Sequence, residues 1–105
     1  MTYTVQLTEQ AKQDLRGIYE YIALTLFEPE TAKNLTRRIL AALRSLKEMP
    51  NRYPIYQEEP WKSRGLRRMN IENFSGFYFV LANSVQIIRI VYNRRDISHV
   101  LNESN

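Results

Sequence analysis

Apolar residues recur along this chain with two different periods, and the order of these periods predicts an α+β fold. Tyr3, Val5 and Leu7 alternate with polar residues, which is typical of a half-buried strand. Over residues 11–26 and 32–46 the apolar residues are instead spaced by three and four positions, which predicts two amphipathic helices. The link between these segments is short, so we expect the helices to pack as an antiparallel hairpin.

Capping residues and prolines set the expected limits of the helices. Thr8 offers a hydroxyl N-cap to a helix over about residues 9–26, and Pro29 suits the first turn of the next helix, which Pro50 ends. Residues 50–65 then form a proline-rich loop. Its aromatic residues could stack on nucleic-acid bases, but we expect Tyr53 and Trp61 to fold back on the sheet as a lid.

Three further strands are predicted over residues 66–73, 77–82 and 85–92, joined by tight turns at 73–76 and 83–84. In the last strand Ile88, Ile90 and Tyr92 should share one face. Both faces of this strand are apolar, so we expect it to be central in the sheet. The order β-α-α-β-β-β, followed by a short C-terminal segment, predicts one mainly antiparallel sheet in a single domain over residues 1–105.

The composition excludes several classes of function. The 105 residues include no cysteine and one histidine, His99, which leaves no disulfide, no thiolate nucleophile and no histidine-based metal site. We therefore expect no metal and no cofactor. There is no apolar run of about 18 residues, and the first residues lack the basic and apolar regions of a secretory signal. We expect no membrane association and a cytoplasmic location.

The positive charge is concentrated in one third of the chain. The formal net charge is +4, yet residues 61–95 hold seven basic side chains and only one acidic side chain, Glu72, a net charge of +6. Such a field is typical of a nucleic acid or an acidic protein as partner, although a solvated basic face is an equal alternative. The seven cations, six of them arginine, are Lys62, Arg64, Arg67, Arg68, Arg89, Arg94 and Arg95.

An ordered set of short segments resembles the RelE/ParE superfamily of type II toxins over almost the whole chain. None of the segments is specific alone, but their order and spacing are. They are Thr8-x-x-Ala11-x-x-Asp14-Leu15, Pro29-x-x-Ala32, Ile39-x-x-x-Leu43-x-x-Leu46-x-x-x-Pro50, Gly65-Leu66-Arg67-Arg68-Met69, Phe77-Tyr78-Phe79-Val80 and Ile88-Arg89-Ile90-Val91-Tyr92-Asn93-Arg94-Arg95-Asp96.

This resemblance implies a helical hairpin packed on a sheet, and a toxin that inhibits growth when free. It also implies a cognate antitoxin that covers the basic face, in a toxin–antitoxin hetero-oligomer. The target differs between branches of the superfamily. RelE-like toxins cut mRNA in the ribosomal A site without a metal, whereas ParE-like toxins poison DNA gyrase and show no nuclease activity.

The residues favour the ParE-like branch. RelE-like nucleases usually carry a basic residue in the third strand, and the matching residue here is Tyr78. The late arginine of the family is matched by Arg95, and the basic residues entering the second strand are loosely matched by Arg67 and Arg68. We therefore predict inhibition of DNA gyrase. The alternatives are a ribosome-dependent endoribonuclease and an inactive relative that only binds its antitoxin.

Each reading has its own site residues. If the chain is a nuclease, the resemblance implies catalysis by Arg95, Arg67 and Tyr92, with Tyr78, Tyr92 or Glu59 as candidate proton-transfer groups. We expect Arg89 to be a paired structural arginine, Asp96 to pair with an arginine or cap the final segment, and His99 to be inert. The predicted target- or antitoxin-binding residues are Arg64, Arg67, Arg68, Arg94, Arg95, Lys62 and Trp61.

Overall fold

The computed structural model describes residues 2–103. A π-helical turn, Tyr21–Thr25, extends the first helix, and two short 3₁₀ turns, Ser45–Lys47 and Pro50–Arg52, follow the second helix. The strands and α-helices in chain order are β1 (Thr4–Leu7), α1 (Glu9–Glu20), α2 (Pro29–Arg44), α3 (Trp61–Arg64), β2 (Arg67–Ile71), β3 (Phe74–Val80), β4 (Ser84–Tyr92) and α4 (Ile97–Asn102).

The four strands form one mixed sheet in the order β1-β4-β3-β2. β2, β3 and β4 are antiparallel neighbours, whereas β1 lies parallel to β4, with Val5 opposite Val85. The predicted central position of the last strand is confirmed. The expectation of a mainly antiparallel sheet holds for the β2–β3 and β3–β4 pairs, whereas β1 and β4 are parallel, which the long connection through the helices, β2 and β3 permits.

The first face of the sheet is covered by α1 and α2. Thr8 caps α1, its hydroxyl accepting a hydrogen bond from the Ala11 amide at 3.2 Å, and Pro29 occupies the first turn of α2 as predicted. The two helices are joined by residues 26–28 and direct their apolar stripes into one cluster. Its buried members are Ala11, Leu35, Ile39, Leu43, Leu46, Met69, Ile71, Tyr78, Val85, Ile87 and Ile90.

The second face of the sheet is covered by the loop around α3 and by α4. Trp61 is buried there as the lid prediction requires, while Tyr53 packs instead against the first cluster. The ring of Tyr56 meets that of Phe77 edge-on at 5.4 Å between centroids. The buried residues of this second cluster are Tyr56, Trp61, Leu66, Phe77, Val91, Val100 and Leu101.

The predicted turn over residues 73–76 was wrong. β3 begins at Phe74, and the connection from β2 is only Glu72 and Asn73, with Glu72 in the left-handed region at φ 56°. Gly76 had suggested a turn, but it lies inside β3, where a Cβ would come within 2.8 Å of Leu43 Cδ2. Close packing of α2 on the strand, rather than a turn, accounts for this glycine.

An irregularity in the pairing of β3 with β4 moves side chains between the two faces of the sheet. Phe77 pairs with Arg89 but the next residue, Tyr78, pairs with Ile87. Ile88 is therefore an extra residue on β4, and Ile87 and Ile90 point to the same face while Ile88 packs in the second cluster. The predicted sharing of one face by Ile88 and Ile90 was wrong for this reason.

Candidate partner-binding surfaces

The end of β4 and the middle of α1 line an open groove of about 700 Å³. The rings of Phe74 and Tyr92 stack in a tilted arrangement at 5.4 Å on its sheet side. Arg95 lines the same groove, and its amide bonds to the Tyr92 carbonyl at 3.0 Å in the turn that leaves the strand. Further apolar lining comes from Ile18 of the first helix, Ile22 of its π-helical extension and Leu26 just after it.

This groove exists because β1 is shorter than β4. The pairing of β1 ends at Leu7 opposite Ile87, so the rest of β4 has no strand beside it on that edge. Asp14 of α1 takes part of that place, because its Oδ2 accepts a hydrogen bond from the Ile90 amide at 2.9 Å. In an antiparallel pair the N–H and C=O of one residue point to the same side, so the Ile90 carbonyl also points into the groove.

Asp14 also fixes Arg89. Its two carboxylate oxygens accept hydrogen bonds from Arg89 Nε at 2.8 Å and from Nη2 at 3.0 Å, and Arg89 Nη1 donates to the Val100 carbonyl at 3.2 Å. Both side chains are nearly buried. This geometry joins α1, β4 and α4, and it fits the structural role expected for Arg89.

Arg67 and Tyr78 face the first side of the sheet. Arg67 Nη1 donates to the carbonyls of Asn51 and Tyr53 at 3.1 and 2.6 Å. Tyr78 is fully buried, its hydroxyl donates to the Pro50 carbonyl at 2.7 Å, and burial raises its pKa to about 12. Tyr78 thus keeps its proton at neutral pH.

Arg68 lies on the opposite face, in a cluster of polar side chains around the buried Ser75. Its Nε donates to Ser75 Oγ at 2.9 Å and its Nη2 to Asn93 Oδ1 at 3.4 Å. The Ser75 hydroxyl also contacts the side-chain oxygens of Asn93 at 2.5 Å and Asn70 at 3.1 Å. The guanidinium lies 5.8 Å from the centroid of the Phe77 ring. Sequence periodicity could not indicate this cluster, because its members come from three strands or strand ends.

The predicted nuclease residues do not converge. Arg67 pairs with Tyr78, which pairs with Ile87, whereas Tyr92 lies five positions further along β4. At about 3.3 Å per residue this separation is roughly 16 Å along the strand. Glu59 is in the α3 loop, where its carboxylate accepts hydrogen bonds from the Ser63 hydroxyl and amide, which lower its pKa.

The α3 loop exposes Lys62 and Arg64, but not Trp61. Arg64 lies over the Trp61 ring, 5.3 Å from its centroid, while the indole itself is buried in the second cluster. Glu58 ties this loop to α4, accepting hydrogen bonds from the hydroxyls of Tyr56 at 2.6 Å and Ser98 at 2.9 Å, which lower the pKa of this carboxyl. Lys62 and Arg64 are thus available to a partner, whereas Trp61 acts as the buried anchor of the loop.

Arg94 and Arg95 are exposed after β4. Asp96 caps α4 as one of the two expected roles requires, its Oδ1 accepting a hydrogen bond from the His99 amide at 3.2 Å. His99 is exposed, and its Nε2 lies 3.5 Å from Glu103 Oε1. Within residues 2–103 there is no group of three or more histidine, aspartate or glutamate side chains placed to hold a metal ion. Nor does any helix in that range have the length and apolarity needed to cross a bilayer.

Comparison with known sequences assigns the family. Residues 5–97 match the sequence profile of the family described as ParE toxin of type II toxin-antitoxin system, parDE. The chain belongs to the ParE toxin family. The resemblance to the RelE/ParE superfamily is thereby confirmed, and the chain is a type II toxin of that superfamily. No curated protein sequence matches it.

Solved structures agree with this membership. The chromosomal ParDE system of P. aeruginosa contains a chain 26% identical to this one, with a TM-score of 0.73 over 87% of this ParE-family chain and 96% of that chain. The RelBE2 complex of Mycobacterium tuberculosis is 19% identical, with a TM-score of 0.61 over 88% and 99% of the two chains. The RelE–RelB complex of Pyrococcus horikoshii is also 19% identical, with a TM-score of 0.61 over 90% and 99%. The last two likenesses show the fold alone.

Proposed function

We propose that this ParE-family chain inhibits growth by binding DNA gyrase in the cytoplasm, and that a cognate antitoxin neutralises it. The family match over residues 5–97 and the similarity to a ParDE chain support the ParE-like reading. The observation that carries the choice of target is Tyr78. RNA cleavage needs a cation against the phosphate and a base for the ribose hydroxyl, and this strand position supplies neither.

The buried environment of Tyr78 makes that argument stronger than the sequence alone. Its side chain is 0% exposed and enters the cluster under the helices, so no RNA phosphate reaches it. Arg67, the nearest predicted cation, is bound to two backbone carbonyls on the same side. A cation that stabilises a transition state typically contributes ~10²-fold in rate.

The endoribonuclease alternative draws on one observation, the cluster around Ser75. Arg68 is held there by Ser75 and Asn93, on the face opposite Tyr78. Planar guanidinium and amide donors suit a phosphate group. Without a nearby base the cluster favours binding over cleavage, so we keep the gyrase reading.

We assign the antitoxin to the groove between α1 and the end of β4. Apolar side chains line it, Arg95 adds a positive charge, and the Ile90 carbonyl offers an edge to an extended segment. The similar ParDE, RelBE2 and RelE–RelB structures are toxin–antitoxin systems or complexes, which supports an antitoxin as the occupant. The expected segment carries apolar residues next to an acidic residue that pairs with Arg95.

Controlled expression in a bacterial host tests the target. Induction of the toxin should trigger the DNA damage response without new mRNA 5′ ends inside codons, and co-expression of the antitoxin should abolish both growth arrest and damage response. Primer extension that finds codon-internal cleavage, abolished by Arg68→Ala or Arg95→Ala, would establish the nuclease alternative instead.

A further inference from the structure

The connection between α1 and α2 exposes more large apolar side chains than any other part of the described chain. We call residues 20–30 the tip segment. Leu24 is 68% exposed and Phe27 is 82% exposed, and Tyr21 and Leu26 are also exposed. Elsewhere in residues 2–103 such side chains occur singly, for example Met49 and Leu81. Contiguous apolar exposure of this kind marks an interaction site.

The backbone of the tip segment is irregular at the residues that carry this surface. α1 ends in the π-helical turn Tyr21–Thr25, a feature frequent at functional sites. Phe27 has φ 57°, in the left-handed region that bulky residues avoid. Hydrogen bonds from the Leu26 amide to the Tyr21 carbonyl and from the Glu28 amide to the Ile22 carbonyl hold the turn at 3.1 and 3.0 Å. A strained aromatic residue whose side chain is mostly exposed contributes little to folding, which points to a role in contact with a partner.

The charge of the tip segment is opposite to that of the rest of the protein. Residues 17–32 contain Glu20, Glu28 and Glu30 and no lysine or arginine, a net charge of −3 in a chain of net +4. The rest of the chain therefore carries +7. All three carboxylates are exposed, and Glu28 accepts a hydrogen bond from the Thr31 hydroxyl at 3.2 Å. An acidic rim around apolar side chains is complementary to a basic surface with an apolar pocket.

We propose that the tip segment is the surface by which this toxin engages its target, and that the target presents a basic surface with an apolar pocket that receives Phe27. The inference rests on the proposed function, in which the chain acts by binding a protein. An acidic antitoxin segment suits the groove near Arg95 better than the tip. Two tips facing each other would bring like charges together, so a second copy is a poorer occupant than a basic partner.

The position of the tip also explains how one antitoxin segment can block it. Tyr21 and Leu26 belong both to the tip segment and to the lining of the groove. A segment seated in the groove therefore reaches the base of the tip without needing to cover Phe27. Target and antitoxin therefore compete because both contact the base of the tip, although the main contacts of the target are at Phe27 and those of the antitoxin are in the groove.

The test compares Phe27→Ala with Met49→Ala, a matched control. Met49 is also exposed, at 74%, and also has a positive φ, of 49°, but it lies beyond the opposite end of α2 from the tip segment. Phe27→Ala should raise the toxin concentration that half-inhibits supercoiling by purified gyrase about 100-fold, as expected for loss of an interface anchor, and should relieve growth arrest. Met49→Ala should change both by less than about twofold.

Phe27→Gly guards against a folding artefact, because glycine accepts the left-handed backbone without strain. This variant should be at least as stable as wild type and equally inactive. Affinity for the antitoxin, measured by calorimetry, should stay within about threefold for both Phe27 variants, since the groove is intact. Glu20→Gln with Glu30→Gln should slow association with the target and weaken its dependence on salt.

Three results would overturn the proposal. Wild-type toxicity in Phe27→Ala would show that the tip is not the target surface. An equal loss of antitoxin affinity and toxicity would assign the tip to the antitoxin. A wild-type dimer that Phe27→Ala converts to a monomer would assign it to self-association. An error in the choice of gyrase as target can be told apart from an error in the tip proposal. In that case wild type would arrest growth without inhibiting supercoiling, and Phe27→Ala would still relieve the arrest.

Discussion

The position of a tyrosine or phenylalanine in the sheet of this toxin determines whether its side chain is buried in the core or exposed to a partner. Tyr78 and Phe77 are adjacent in β3, so the alternation of side chains along a strand places Tyr78 under the helices and Phe77 in the second cluster. Neither is available to a partner. Tyr92, on the neighbouring strand, keeps 38% of its surface exposed at the groove. Burial therefore argues against a catalytic role for Tyr78, and the distance from Arg67 argues against one for Tyr92.

The buried hydroxyl of Tyr78 predicts a specific alkaline destabilisation. The Tyr78 pKa is raised from 10.0 to about 12 in the folded protein. The protonated phenol therefore contributes fully to the free energy of unfolding below pH 10, and this contribution is lost as the pH rises towards about 12. Tyr78→Phe should be less stable by about 1 kcal/mol near neutral pH, because the Pro50 carbonyl loses its donor.

Urea unfolding of both proteins across this pH range measures the effect. The stability advantage of wild type over Tyr78→Phe should shrink between pH 10 and about 12. Parallel stability curves for the two proteins over that interval would show that the Tyr78 phenol titrates normally, contrary to this account.

At the scale of elements, the sequence predicted well which strands and helices form and in what order, but it predicted poorly which of them contact each other. Periodicity located every strand and both long helices, because an amphipathic surface must repeat with its own period. It missed the start of β3, since Gly76 is typical of turns but here allows Leu43 to approach. It could not show that Asp14 reaches β4, because that contact joins residues 76 positions apart. Of the exposed apolar residues of the tip segment, only Leu26 belongs to the predicted stripe of the first helix, and the exposure of the segment was not predicted.

Asp14 joins α1 to the part of β4 that β1 does not cover, so its removal should weaken the whole helix–sheet packing. Asp14→Ala leaves Arg89 nearly buried without its carboxylate and the Ile90 amide without an acceptor. We expect a loss of about 3 kcal/mol in unfolding free energy, measured by urea denaturation. The matched control is Glu72→Ala, which breaks the exposed ion pair with Arg38 and should cost much less. Equal losses in the two variants would refute the structural role of Asp14.

At the scale of the whole molecule, charge divides the surface between two kinds of partner. The tip segment is acidic, whereas the exposed cations of residues 61–95 lie in α3 and after β4, at Lys62, Arg64, Arg94 and Arg95. The net charge of +6 over residues 61–95 overstates this field, because Arg89 is neutralised by Asp14. A positively charged surface of this kind speeds association with an acidic partner and makes the rate depend on salt.

Association of toxin and antitoxin should therefore slow several-fold between about 0.05 M and about 0.5 M salt. Arg95→Ala should lower the association rate at low salt and flatten its salt dependence, because Arg95 lines the groove. Arg37→Ala removes the same charge from an exposed position on α2 and should leave both nearly unchanged. Stopped-flow or surface-plasmon kinetics provide the rates. A rate indifferent to salt would place the antitoxin on a different, apolar surface.

The most direct test of the central claim is supercoiling by purified gyrase in the absence of ribosomes. We predict that the wild-type toxin inhibits supercoiling in proportion to its concentration, and that equimolar antitoxin restores it. The contradictory result is unimpaired supercoiling at all toxin concentrations, together with cleavage of mRNA inside codons when the same preparation is added to translating ribosomes.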